Sequence, residues 1–102
     1  MFRHQVRHIV KHGEFAPFRE AFAKFNALCP GAGLPTYRLW RSLFGHSSEV
    51  WSEAEYDSLD AHVELLEKAR ENTEWLDAFR AMIDHTVPGT LHDYALEPVE
   101  LG

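Results

Sequence analysis

A chain of 102 residues makes about one domain able to bury roughly two thirds of its unfolded surface, and 45% hydrophobic and 13% aromatic residues supply a core. A formal net charge of −6 excludes a nucleic-acid binder, which needs basic density to displace counterions, and disfavours docking on anionic membranes. A lone cysteine, Cys29, excludes a disulfide framework, and no run approaches the ~20 apolar residues of a membrane span, so one cytoplasmic domain over residues 1–102 is expected.

Phe2, His4, Val6, His8 and Val10 alternate with Arg3, Gln5, Arg7 and Ile9, a period-two pattern that predicts a first strand. The competing helical reading would stack His4, His8 and His12 of RHQVRHIVKH as a ladder of metal ligands. It needs Phe2, Val6, Ile9 and Val10 to carry a whole stripe, and the pattern stops at Gly13. After that glycine the rhythm changes to Phe15, Phe18, Phe22, Phe25 and Leu28, an amphipathic helix with Pro17 in its first turn. CPGAGLP (Cys29 to Pro35) ends it.

TYRLWRSLF and SEVWSEAEY follow as two strands, with Gly45 and His46 read as the central residues of a type II′ turn. That register sets Phe44 against Ser47, Trp40 against Trp51 and Arg38 against Glu53, joining aromatic to aromatic and opposite charges to each other. Asp57-Ser58 caps the next helix, with Leu59, Val63, Leu66 and Ala69 as its apolar stripe. Thr73 caps another, carrying Trp75, Phe79, Met82 and Ile83, and Pro88-Gly89 breaks it. TLHDYALEPV reads as a last strand ending near Pro98. The order β-α-β-β-α(α)-β is the split βαβ, ferredoxin-like arrangement of the α+β class.

WSEAEYDSLDAH, NTEWLDAF and the terminal LEPV, together with the opening VKHGEFAPF (Val10 to Phe18), resemble the dimeric α+β barrel superfamily over nearly the whole chain. Within it the NIPSNAP-like proteins are the nearest resemblance, and the antibiotic-biosynthesis-monooxygenase-like group the next. These motifs are structural punctuation, so they speak for fold more than for activity. The resemblance implies a four-stranded antiparallel sheet in the order 4-1-3-2, helices on one face, and two sheets closing a barrel in a homodimer. Arg3, Gln5 and Arg7 would then face Glu49, Trp51, Glu53 and Glu55 across the central strands. Arg3, Arg7, Trp40, Trp51 and Glu53 become the expected dimer interface, because Trp40 and Trp51 would otherwise form an exposed apolar patch. Haem-degrading members of the superfamily use an asparagine, a histidine and a tryptophan. Their positions fall here on Val6, near Phe79, and near Leu65 or Leu66, so haem degradation is not expected and no cofactor is.

Metal chemistry is not expected either. On a strand His4 and His8 lie ~13 Å apart and cannot share an ion, whereas a helix would bring them to ~6 Å. His62-Val63-Glu64 has the H-x-E of zinc deaminases without the P-C-x-x-C that must follow. Glu53 and Glu55, ~6.6 Å apart on one strand face, read as an ion network with the arginines. Cys29 sits at a helix C-terminus, where the dipole disfavours a thiolate. What remains is a pocket between sheet and helices for a small apolar or aromatic molecule, formed by His4, Val6, Phe18, Phe22, Trp75, Phe79 and His92. The leading expectation is a dimeric ligand-binding module rather than a conventional enzyme. The alternative is a cofactor-free monooxygenase or isomerase acting on an aromatic or enolic molecule, with His8 as base.

Overall fold

The computed structural model describes residues 1–44 and 48–102. Four strands, β1 (Phe2–Ile9), β2 (Arg38–Arg41), β3 (Glu49–Tyr56) and β4 (His92–Leu96), form one antiparallel sheet in the order β2-β3-β1-β4. Three helices, α1 (Phe15–Leu28), α2 (Leu59–Ala69) and α3 (Thr73–Ile83), complete the α+β ferredoxin-like fold. The strand order and the placing of β1 at the centre are those expected.

Alternation along β1 buries Phe2, Val6 and His8 under the helices and leaves Arg3, Gln5 and Arg7 on the outer face. At Gly13 the backbone turns with φ of +78°, the left-handed region that glycine enters without a steric cost, and the chain passes into α1. Phe18, Phe22 and Phe25, one helical stripe, pack inward. The Phe25 ring lies 5.7 Å from Trp75 and 5.8 Å from Phe79 of α3, so α1 and α3 share an aromatic seam over the sheet. Leu34, just beyond the 3-10 turn Pro30–Ala32, and Val50 of β3 close the core.

On the outer face the opposite charges of the central strands pair as anticipated. Arg3 bonds Glu55 at 2.9 Å, Gln5 bonds Glu53 at 3.2 Å, and Arg7 pairs with Glu49. The hairpin register also holds where it can be read: Trp40 opposes Trp51 and Arg38 opposes Glu53. The predicted Gly45-His46 turn and the Phe44–Ser47 pair fall outside the described residues.

Three local expectations need correction. Strand β2 ends at Arg41, and Leu43 and Phe44 stand exposed instead of extending the ladder. Helix α2 follows the expected stripe only in its second half: Ala69 is buried and Leu66 half-buried, while Leu59 and Val63 are exposed and His62 is buried in their place. His62, polar by sequence hydropathy, packs its ring against Phe2, His4 and Tyr56. Asn72, rather than Thr73, caps α3, its side chain accepting the Trp75 backbone N–H at 3.1 Å. Ser58 caps α2 as anticipated, accepting from the Ala61 N–H at 3.1 Å. Among the described residues no helix is long and apolar enough to cross a membrane.

Candidate functional site

Cross-strand neighbours share a face, so the sheet registers decide which side chains look toward the helices. Val6 opposes Ser52 on β3 and Asp93 on β4, while His4 and His8 flank it two residues away on β1. The diagonals of that lattice carry the polar contacts. His8 Nε2 lies 3.2 Å from Ser52 Oγ, and His4 Nε2 lies 2.8 Å from Asp93 Oδ1. His4 Nδ1 in turn lies 2.6 Å from the Tyr37 hydroxyl, which is 2.9 Å from that of Tyr56.

A cavity of about 210 Å³ opens between this polar floor and the helices. His4, Val6, His8 and Ser52 border it from the sheet, and Phe22, Phe25, Trp75 and Phe79 roof it. Of the seven expected pocket residues, His4, Val6, Phe22, Trp75 and Phe79 border the cavity, as does the expected base, His8. Phe18 does not. It is 0% exposed, with its ring 5.6 Å from His8, and fills the core beneath.

His92 is also misplaced by the sequence reading. It opposes Arg7, shares that residue's outer face, and lies in a separate hollow with His12 and Thr90. The β4 residue on the helix side is Asp93. Period two alone does not say which parity of a short polar strand points inward. Tyr37 and His62 also went unnoticed as site residues. Tyr37 precedes β2, and Asn26 of α1 holds it through both its backbone N–H (2.6 Å) and its carbonyl (2.9 Å). The His62 ring lies 4.5 Å from both His4 and Tyr56, and its Nε2 is buried without a hydrogen-bond partner.

Electrostatics separate the histidines by role. Burial pushes His8 down to about 4, so it is neutral at physiological pH and a weak base. Its Nδ1 is buried and unpartnered. Burial also lowers His62. The hydrogen bond from His4 holds the Asp93 carboxyl below the usual carboxylate range, so Asp93 accepts and His4 Nε2 donates. In the neutral imidazole Nδ1 is then an acceptor, aimed at the Tyr37 O–H. Burial raises Tyr37 and Tyr56, which keeps both phenols protonated. Carboxylate, imidazole and hydroxyl thus stand in line, the order in which a hydroxyl is polarised for acid–base work. Cys29 is 0% exposed, its thiol donates to the Phe25 carbonyl at 3.6 Å, and burial raises it, so it is inert.

The outer face of the sheet carries the residues expected at a dimer interface. Trp40 is 46% and Tyr94 40% exposed, and the Trp51 ring lies 5.7 Å from Tyr94. Glu53 accepts from the Trp40 indole at 3.0 Å and Glu49 from the Trp51 indole at 3.1 Å.

A NIPSNAP family protein of unknown function from Agrobacterium tumefaciens superposes with a TM-score of 0.82, covering 100% of this chain and 91% of its own at 16% identity. The fold is that of the NIPSNAP proteins. A NIPSNAP domain protein from Burkholderia xenovorans gives 0.80 over 97% of this chain and 95% of its own, at 14% identity. A putative antibiotic biosynthesis monooxygenase from Bordetella bronchiseptica follows at 0.76, 15% identity and 97% of each chain. No protein-family model and no curated protein matches the sequence significantly. At these identities the NIPSNAP likeness is one of architecture, end to end.

Proposed function

We propose that this chain is a single-domain, cytoplasmic homodimer that binds a small apolar or aromatic molecule between sheet and helices and is not a conventional enzyme. One observation carries the reading: His8 borders an aromatic-roofed cavity, and its buried Nδ1 has no partner. Leaving such a nitrogen unpaired costs about 1–3 kcal/mol, which a ligand oxygen bonded to it would recover. At about 210 Å³ the cavity lies below the roughly 300–1,000 Å³ that holds drug-sized molecules, so the ligand is small. Pairing of two sheets through Trp40, Trp51, Arg3, Arg7 and Glu53 would cover the exposed aromatic face, and the free, buried thiol of Cys29 suits a reducing compartment.

A thermal-shift screen of small phenols and aromatic ketones tests the pocket. A ligand at a hundred times its Kd stabilises by about 2.7 kcal/mol, and the His8→Ala variant should lose most of that gain. A ligand that stabilises both proteins equally would place its site elsewhere.

The second reading is cofactor-free oxidation or isomerisation of a phenolic or enolic molecule, as the monooxygenase-like neighbours share the architecture. The Asp93–His4–Tyr37 line favours it more than His8 does, because burial makes His8 so weak a base. Turnover that survives His8→Gln and disappears in Asp93→Asn would establish it; turnover unaffected by Asp93→Asn would dismiss it.

A further inference from the structure

The cavity has one charged side chain that nothing in the fold has claimed. Arg70 borders it at the corner between α2 and α3, and among the described residues its guanidinium makes no hydrogen bond or ion pair. It is also the only cationic side chain among the residues bordering the cavity. The four arginines of the sheet are engaged: Arg3 and Arg7 bond carboxylates, Arg38 lies over Trp40, and Arg41 lies over Phe15; Arg70 differs from the helix arginines Arg19 and Arg80 in bordering the cavity. The backbone of Arg70 is held as the cap of α2, its N–H donating to the Leu66 carbonyl at 3.1 Å, so the side chain leaves from a fixed point.

Asp93, the one acid bordering the same cavity, does not neutralise it. Its carboxylate is bonded to His4. Among the described residues no ion pair joins Arg70 and Asp93. Phe22, Phe25, Trp75 and Phe79 line the same cavity with apolar surface.

We infer that the ligand is a small aromatic or apolar carboxylate, its ring against these four side chains and its carboxylate on the guanidinium of Arg70 at the exposed mouth. The assignment rests on the pocket reading above and adds the charge of the occupant. A planar guanidinium fork matches a carboxylate with two parallel N–H···O bonds. A singly charged head suits the site better than a phosphate, because Asp93 on the same wall and the net charge of −6 repel a dianion more strongly. With the head in water and the ring inside, the exposure of Arg70 is what an amphipathic acid requires, since only the apolar part must be desolvated.

The test pairs acids that carry a phenol for His8 with their uncharged amides: 4-hydroxybenzoate, 4-hydroxyphenylacetate and 4-hydroxycinnamate against 4-hydroxybenzamide, 4-hydroxyphenylacetamide and 4-hydroxycinnamamide. Binding to the full chain is followed by calorimetry or by amide chemical-shift titration. At about 20 mM salt the acid of at least one pair should bind about fivefold tighter than its amide, and the gap should shrink at about 500 mM as the charges are screened. In Arg70→Gln the gap should fall below about twofold while amide affinity stays unchanged, which also shows that the pocket is intact. Equal binding of acids and amides by the native chain, or a preference that persists in Arg70→Gln, would overturn the carboxylate assignment and leave the pocket standing. Absence of binding by every acid and every amide would remove the pocket reading and this one with it.

Discussion

Replacing His8 by leucine should change how the stability of the protein depends on pH. His8 is 2% exposed, held against Phe18 and Ser52, and burial carries it from an ordinary 6.5 to about 4. The folded chain keeps this imidazole neutral, while the unfolded chain protonates it below about 6.5, so between those values the unfolded state binds more protons and acid favours it. The full difference is about 3 kcal/mol: nothing at pH 7.5, about 2 kcal/mol lost by pH 5, and nearly all of it by pH 4. Set against the 5–15 kcal/mol of a typical domain, that is enough to bring the transition close to mildly acidic conditions. Urea unfolding of the native chain and of His8→Leu at pH 7.5, 6, 5 and 4 reads it directly. His62 is lowered in the same sense and steepens both curves, whereas Asp93 contributes stability that is lost as pH falls through its own depressed range. Subtracting the two proteins cancels the His62 contribution and leaves His8 together with its coupling to Asp93. Parallel curves, or a ring titration near 6.5 in the folded chain, would refute the reasoning.

Truncating Phe18 to alanine empties the centre of the core and should cost about 3–5 kcal/mol in urea unfolding at neutral pH. Asn72→Ala removes the cap of α3 and should cost about 1 kcal/mol, with Asn72→Ser recovering most of it. Trp51→Asp places a charge where two sheets would meet. Sedimentation should give a dimer for the native chain and a species near 12 kDa for the variant, and a native monomer at micromolar concentration would contradict the barrel.

Much of this architecture could be read from residue order because it rests on short-range regularities. Period two between Phe2 and Val10 places His4, Val6 and His8 on the helix side, and matching of aromatics and charges sets Trp40 against Trp51. What escaped depends on how elements meet in space. Asp93 enters the site because it opposes Val6, a fact of β1–β4 pairing that no window on β4 contains. Cross-strand parity would have found it: the residue opposite Val6 must share its face, and His92 must not. Tyr37 reaches His4 only because Asn26, eleven residues earlier, folds its backbone back onto α1. Arg70 carried no signal at all, since an exposed arginine at a helix end is ordinary until a cavity opens beside it.

Strand β4 is one residue thick, and the two sides of it answer to different tasks. Asp93 looks into the cavity and Tyr94, its neighbour along the backbone, lies against Trp51 on the opposite face. The strand hydrogen-bonds on a single flank, to β1, and every residue in it is exposed, so little else restrains it. An occupant packed against the inner side of this strand would steady the wall that a second sheet would press against. Thermodynamic reciprocity then requires that assembly tighten ligand binding by the same factor that ligand tightens assembly. Occupancy and association would share one free energy, and the ligand affinity of this protein would be a function of its own concentration.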